Sequence, residues 1–248
     1  MNLKVGCCGF AEGQASYFKH FAVVEIQKTF YQPPLVKTAL RWQREAPPGF
    51  CFTLKAWQLI THESSSPTYR RLAHPVSQEV SKRLGRFRPS QEVQNAWRAT
   101  REIAAALQAS VVVFQCPASF TPAEENVRNL SEFFSSLARE NFRIAWEPRG
   151  PWPPELIQEL CSSLDLIHCV DPFKDKCVTG GAVYYRLHGI GGYHYRYSDS
   201  DLQKLLSLCE GREGYLMFNN TTMKEDALRF MACLHRVINP VIGSEVDE

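Results

Sequence analysis

Four residues have the side chains needed to move protons: Glu25, Glu147, Asp171 and His188, each in or just beyond a short apolar, β-rich run. A carboxylate inside a run such as Val23-Val24-Glu25-Ile26 must be paired or solvated, because an isolated buried charge is costly. Glu25 is therefore either a site residue or half of a structural ion pair, with Lys55 as its candidate partner. Lys55 closes Phe52-Thr53-Leu54-Lys55. There it could bind a phosphate or, with a depressed pKa, attack a carbonyl. Arg149 and Arg186 supply further cations, and His62, Gln115, Tyr193, Asn219 and Asn220 complete the candidate ligand-binding set. Each also has an ordinary reading: Asp171 precedes Pro172 and suits a cap, the asparagines suit turns, and His188 suits a satisfied core position.

Two chemistries fit this set, and a third reading needs none. Lys55, Arg149 and Arg186 could clamp a phosphate-containing substrate, nucleic acid included, around His188 or Glu147. That would make the protein a hydrolase or lyase, nuclease-like if the substrate is a polymer. Glu25, Glu147, Asp171 and His188 are also candidate ligands for a divalent metal ion, although no local spacing supports one. Alternatively, the protein is a carbohydrate- or carbonyl-active enzyme, with Glu25 and Glu147 as paired carboxylates or Lys55 as a Schiff-base nucleophile. A non-catalytic module binding an anion or a nucleic acid would need only the cations.

These residues need a frame that brings strand ends together. Eight β-rich runs are expected: Leu3–Cys7, Val23–Ile26, Cys51–Lys55, Val111–Gln115, Phe142–Trp146, Leu166–Val170, Val183–Leu187 and Tyr215–Phe218. Helical periodicity lies between them, clearest at 91–108, 123–140, 153–163, 199–209 and 223–238. Strand–helix alternation with this count predicts an α/β fold, a single (β/α)8 TIM barrel spanning residues 1–240, with an acidic flexible tail over 241–248. Polar residues gather where the strands finish, while Leu3, Val23, Val111, Ile144 and Val183 stand where they start. Barrel active sites form at the finishing end, so a pocket is expected there. Thr121 and Ser198 read as helix caps.

Residues 56–90 are too long for an ordinary strand-to-helix connection and predict an elaborated loop, the kind that covers a barrel's site. The net charge is only +2, but residues 70–101 hold eight Lys/Arg against Glu79 and Glu92 alone. That excess suits either a phosphate-bearing partner or a solvated helical face. Trp57, Tyr69, Tyr193, Tyr195 and Tyr197 are candidate stacking platforms for a nucleic acid. Nine cysteines without a CxxC pair argue for a reducing, cytoplasmic setting, and no segment is long enough to span a membrane. An iron–sulfur variant would rest on Cys7, Cys8, Cys116 and Cys169. The oligomeric state stays open.

The segments Gly6-Cys7-Cys8-Gly9-Phe10, Val24-Glu25-Ile26-Gln27-Lys28-Thr29-Phe30-Tyr31, Phe52-Thr53-Leu54-Lys55, Thr61-His62, Trp146-Glu147-Pro148-Arg149, Arg186-Leu187-His188-Gly189 and Phe218-Asn219-Asn220 occur in this order. Together they resemble the YecE-like family, domain of unknown function 72, from about residue 3 to residue 238. The resemblance implies a TIM barrel but supplies no activity, since one barrel fold hosts many reactions. The sequence departs from the family's usual motifs at Cys7-Cys8 and Phe10, where a small or hydroxyl residue and a tryptophan are usual, and at Gln27, where asparagine is usual.

Overall fold

The structure is a computed structural model describing residues 2–139 and 141–238, so the expected tail over 241–248 lies outside the described residues. Its strands are β1 (Asn2–Cys8), β2 (Val23–Ile26), β3 (Cys51–Lys55), β4 (Val111–Gln115), β5 (Arg143–Glu147), β6 (Ile167–Val170), β7 (Ala182–Leu187) and β8 (Glu213–Phe218). They run parallel in chain order and close into a barrel, the seam joining β1 to β8 from Asn2↔Glu213 to Cys7↔Phe218. The surrounding helices are α1 (Gln14–His20), α2 (Lys28–Tyr31), α3 (Val36–Glu45), α4 (Gln58–Thr61), α5 (Gln78–Ser81), α6 (Gln91–Leu107), α7 (Glu124–Ser135), α8 (Pro154–Ser163), α9 (Asp199–Leu208) and α10 (Met223–Ile238). Among the described residues no helix is long and apolar enough to cross a membrane.

Period-two alternation divides every strand between two environments. Cys8, Val23, Val111, Val113, Ala145, Ile167, Cys169, Tyr184 and Met217 come from seven strands yet form one buried cluster, which is the barrel interior. Their neighbours Val24, Phe52, Leu54, Val112, Phe114, Ile144 and Trp146 pack instead with the helices. Helix α6 meets this outer layer through Val93, Ala96, Trp97, Thr100, Ile103, Ala104 and Leu107, a stripe at three- and four-residue spacing. The interior alternation, continued toward the strand ends, reaches Glu25, Lys55, Gln115, Glu147, Asp171, Arg186, His188 and Asn219.

Two capping expectations part ways. Ser198 caps α9 in a full capping box with Asp201, as expected. Helix α7, however, takes Ala123 as its N-cap with no side-chain bond, while the backbone carbonyl of Thr121 accepts from Asn126 Nδ2 at 2.9 Å. That helix also stops at Ser135, short of the expected 140. Ser136 Oγ turns back to the Phe133 carbonyl at 2.8 Å, and Arg139 departs to bond the Asp165 and Leu164 carbonyls. Glu140 lies outside the described residues.

The long connection after β3 is built from α4, a 3-10 turn over Pro67–Arg71 and α5. Its return is pinned by Gly85 N to the Leu59 carbonyl at 2.8 Å and Phe87 N to the Ile60 carbonyl at 2.9 Å. Gly85 has φ +76°, and a Cβ there would meet the His62 carbonyl oxygen at 2.4 Å, so glycine is required. Phe87 then buries its ring among Phe114, Phe120, Phe133 and Phe134. Three arginines of the basic stretch are neutralised locally. Arg83 pairs with Glu79 and Glu92, and Arg86 and Arg88 share Glu63.

Candidate functional site

The base of the site is an ion network that crosses the barrel. Arg186, fully buried on β7, donates from Nε and Nη2 to the two oxygens of Glu25 at 3.0 and 2.9 Å, and from Nη1 to Glu147 at 2.6 Å and Gln115 at 3.0 Å. Its last donor direction faces Cys8 Sγ at 3.8 Å. Tyr184 donates to Glu25 at 2.9 Å and exchanges a 2.7 Å bond with Thr53. The buried partner of Glu25 is thus Arg186 rather than Lys55. With both oxygens committed and no exposure, Glu25 is also not available as one of two glycosidase carboxylates. The guanidinium of Arg186 has no N–H left for a phosphate clamp.

Above this base, Arg149 joins Glu147 to His188. Arg149 Nε donates to Glu147 Oε1 at 2.8 Å, and its Nη2 lies 2.6 Å from His188 Nε2. An arginine can only donate, so His188 Nε2 is the acceptor and the ring proton sits on Nδ1, 3.6 Å from Asp171 Oδ2. Burial lowers the His188 pKa, the hydrogen bond it donates to Asp171 opposes that, and Arg186 lowers it further. The imidazole is neutral. Burial alone would raise the Glu147 carboxyl, but Arg186 and then Arg149 outweigh it and hold the group well below the usual carboxylate range. Asp171 accepts from the backbone N–H groups of His188 at 3.0 Å and Phe173 at 3.1 Å, so it fixes the turn after β6.

Lys55 contrasts with both arginines. It is 4% exposed, bonds Gln115 Oε1 at 2.8 Å and lies 3.8 Å from the centre of the Phe30 ring. Among the described residues no carboxylate lies within 4.0 Å of it. Burial, with Arg186 next, lowers its pKa to about 7, so a large share is the free amine near neutral pH. His62 lines the same space, its ring held edge-on to Phe30 at 5.0 Å and its Nδ1 2.8 Å from Thr61 Oγ1. Burial, then Lys55, lowers His62 to about 3.

The cavity over these groups has a volume of about 490 Å³. Its lining includes Lys55, His62, Gln115, Arg149, Arg186, His188, Tyr193 and Asn219 from the expected set. Glu25 lies beneath, and Glu147 and Asp171 line an adjoining space of about 260 Å³ together with Arg149 and His188. Asn220 does not reach the cavity. Strand alternation turns it the other way, and its amide donates to the Tyr195 carbonyl and to Asp226 at 2.7 Å each, which clasps the loops after β7 and β8 together. The lining also contains Cys8, Gln27, Phe30, Tyr31, Thr68 and Arg71, which lay outside the expected site set. Gln27 Nε2 bonds Asn219 Oδ1 at 2.8 Å and the Cys8 carbonyl at 3.1 Å, joining β1, β2 and β8 across one wall.

The expected stacking platforms are mostly spent on structure. Trp57 Nε1 donates to the Tyr31 carbonyl, Tyr69 to the His62 carbonyl, Tyr195 to Asp201, and Tyr197 accepts from Gly189 N. Gly189, at φ +84°, has no room for a Cβ, which would meet the Gly192 carbonyl oxygen at 2.1 Å. Of this group only Tyr193, 54% exposed, lines the cavity.

The oxygen and nitrogen donors do not converge as a metal cage, because both glutamates point at arginines. Among the described residues no three His, Cys, Asp or Glu side chains are grouped to hold a metal ion. The nine cysteines are free thiols. Cys8 and Cys169 face the interior while Cys7 and Cys116 pack on the outer layer, so the four do not meet as an iron–sulfur site.

A family model described as "Protein of unknown function DUF72" matches residues 11–244. A solved DUF72 family protein from Enterococcus faecalis V583 is similar to this chain with TM-score 0.71 at 20% identity, over 94% of this chain and 98% of that one. The fold extends to D-allulose 3-epimerase from Methylomonas sp., with TM-score 0.57 at 12% identity over 95% of this chain and 98% of that one. It extends equally to an AP endonuclease, family 2, from Brucella melitensis, with TM-score 0.57 at 12% identity over 89% of this chain and 93% of that one. No curated protein matches the sequence.

Proposed function

We propose, for a chain that belongs to the DUF72 family, that the cavity is the active site of an enzyme acting on a small carbonyl compound, a carbohydrate or its derivative, through the amine of Lys55. The observation that carries this reading is Lys55 itself, buried at a strand end, without a carboxylate partner among the described residues, and with a pKa lowered to about 7. An amine attacks a carbonyl only through its lone pair, so a lysine must be largely deprotonated at working pH to serve. Gln115 Oε1 accepts one N–H and fixes the direction of the amine. The neutral rings of His62 and His188 line the same cavity. Of the two, His62 can relay the proton that must leave nitrogen and reach the departing hydroxyl during imine formation, since both ring nitrogens of His188 are engaged by Arg149 and Asp171.

The cavity volume of about 490 Å³ suits a metabolite-sized ligand. A polymer finds fewer supports, since Tyr193 is the one expected platform lining the cavity. The phosphodiester-cleaving reading loses two of its parts, because Arg186 is saturated and the acidic groups face cations rather than one another. A D-allulose 3-epimerase and an AP endonuclease share the fold to the same degree, so likeness of fold does not choose between sugar and nucleic acid.

The test is reductive trapping. The protein is incubated with a panel of aldoses, ketoses and their phosphates, treated with borohydride, and examined by intact and peptide mass spectrometry. The expected result is a stable adduct on the peptide containing Lys55, with a yield that rises from pH 6 to 8 as the amine loses its proton. No adduct across the panel, or one that persists in Lys55→Met, would sink the reading.

A further inference from the structure

We propose that the cavity takes a phosphorylated carbonyl compound, and that Arg71, from the long connection after β3, binds its phosphate monoester. This rests on the reading of Lys55 given above and names the class of substrate. Three observations carry it.

The first is charge. Four basic side chains line the cavity: Lys55, Arg71, Arg149 and Arg186. Glu25 and Glu147 neutralise Arg186 and Arg149 through contacts of 2.6 to 3.0 Å. Arg71 and Lys55 have no carboxylate partner among the described residues. Lys55 serves as the largely neutral amine, so Arg71 is the permanently charged group of the cavity without a carboxylate partner among the described residues; it suits an anionic group such as a phosphate monoester, which carries roughly −1.5 to −2 at neutral pH.

The second is position. Arg71 is the last residue of the 3-10 turn Pro67–Arg71, and that turn is anchored. Gln58, fully buried, donates from Nε2 to the Tyr31 carbonyl at 3.2 Å and to the Thr68 carbonyl at 3.3 Å, tying α2 to the turn. The Tyr69 hydroxyl holds the His62 carbonyl at 2.8 Å. The guanidinium of Arg71 is thereby set 4.1 Å from the centre of the Tyr31 ring, and among the described residues no hydrogen bond or ion pair engages its N–H groups. A planar fork with an open edge is the geometry that bonds two phosphate oxygens at once.

The third is selection within the basic stretch. Arg83, Arg86 and Arg88 are engaged by Glu79, Glu92 and Glu63, whereas Arg71 is the residue of that stretch that lines the cavity. Arg70, its neighbour, is outside the lining and serves as the control.

Two measurements test this separately from the chemistry at Lys55. Calorimetric titration with inorganic phosphate compares the wild type with Arg71→Gln, Arg71→Lys and Arg70→Gln. The expected result is affinity weakened about tenfold or more in Arg71→Gln, a smaller loss in Arg71→Lys, and none in Arg70→Gln. Equal weakening in Arg70→Gln and Arg71→Gln would reduce the effect to general surface charge and overturn the proposal. Borohydride trapping then compares a ketose phosphate, the unphosphorylated ketose and a sugar acid. Preference for the phosphate in the wild type that vanishes in Arg71→Gln supports it. Equal trapping of all three, or preference for the sugar acid, overturns it while leaving Lys55 as the nucleophile. Phosphate binding lost in Arg71→Gln, with no carbonyl trapped by any form, would instead retain the anion subsite and discard the carbonyl chemistry.

Discussion

The barrel interior has two levels built on one alternation, and they obey different physics. At the lower level Val111, Val113, Ala145, Ile167 and Met217 fill the space with apolar volume. Further along the same strands stand Gln115 and Glu147, two residues beyond Val113 and Ala145, and Asp171, four beyond Ile167, with Glu25, Lys55 and Arg186 continuing the same inward alternation on β2, β3 and β7. The lower level is held by exclusion of water and is indifferent to pH. The upper level holds together only while each charge has its partner, and Lys55 lacks a carboxylate one. A parallel barrel makes this division natural, because its strands all finish at the same end.

The largest effect is expected from removing the hub of the upper level. Arg186→Met should cost about 3–5 kcal/mol in denaturant unfolding, since Glu25 and Glu147 lose their shared cation in a buried setting. Adding Glu25→Leu should recover part of the loss; a double variant no more stable than the single one would show that the network is not coupled. Making one upper-level residue resemble the lower level should act the opposite way. Lys55→Met should abolish trapping yet stabilise the fold at pH 7 by on the order of 3 kcal/mol. The sign follows from the pKa lowered to about 7 from 10.5. Between those values the unfolded chain binds more protons than the folded one, so wild-type stability rises with pH and the gain from Lys55→Met shrinks toward pH 10. A gain that stays constant over that range would remove Lys55 as its source. Smallest is Val113→Ala in the lower level, expected to cost about 2 kcal/mol by the same unfolding measurement and to show no dependence on pH.

How much of this was legible in the sequence follows from what each feature depends on. The strands β2, β3 and β4 read off directly, because each is a run of four or five mostly apolar, β-favouring residues that gives way to a polar one at Gln27, Lys55 or Gln115. The same pattern placed Lys55, Gln115, Arg186 and Asn219 on one cavity. The pairing did not follow. Sequence proximity favoured Lys55 for Glu25, whereas barrel closure brings Arg186 across to it from β7. Arg71 was hidden within the basic stretch, because two of the arginines there are satisfied by Glu63, which lies before that stretch begins. Asn220 shows the limit of motif reading, since alternate positions face opposite ways and only Asn219 of the pair meets the cavity.

The link between Glu25 and Arg186 spans 161 residues of chain, and it has a consequence for how the molecule assembles. While the first half is being synthesised, Glu25 has no counter-ion and must remain hydrated, so the early strands cannot collapse around it. Dehydration has to wait until β7 arrives, immediately before β8 closes the seam against β1. Such late, long-range contacts slow folding. They also make the charged network a checkpoint: an incomplete barrel keeps an open, wet centre, and only the complete chain can dry it.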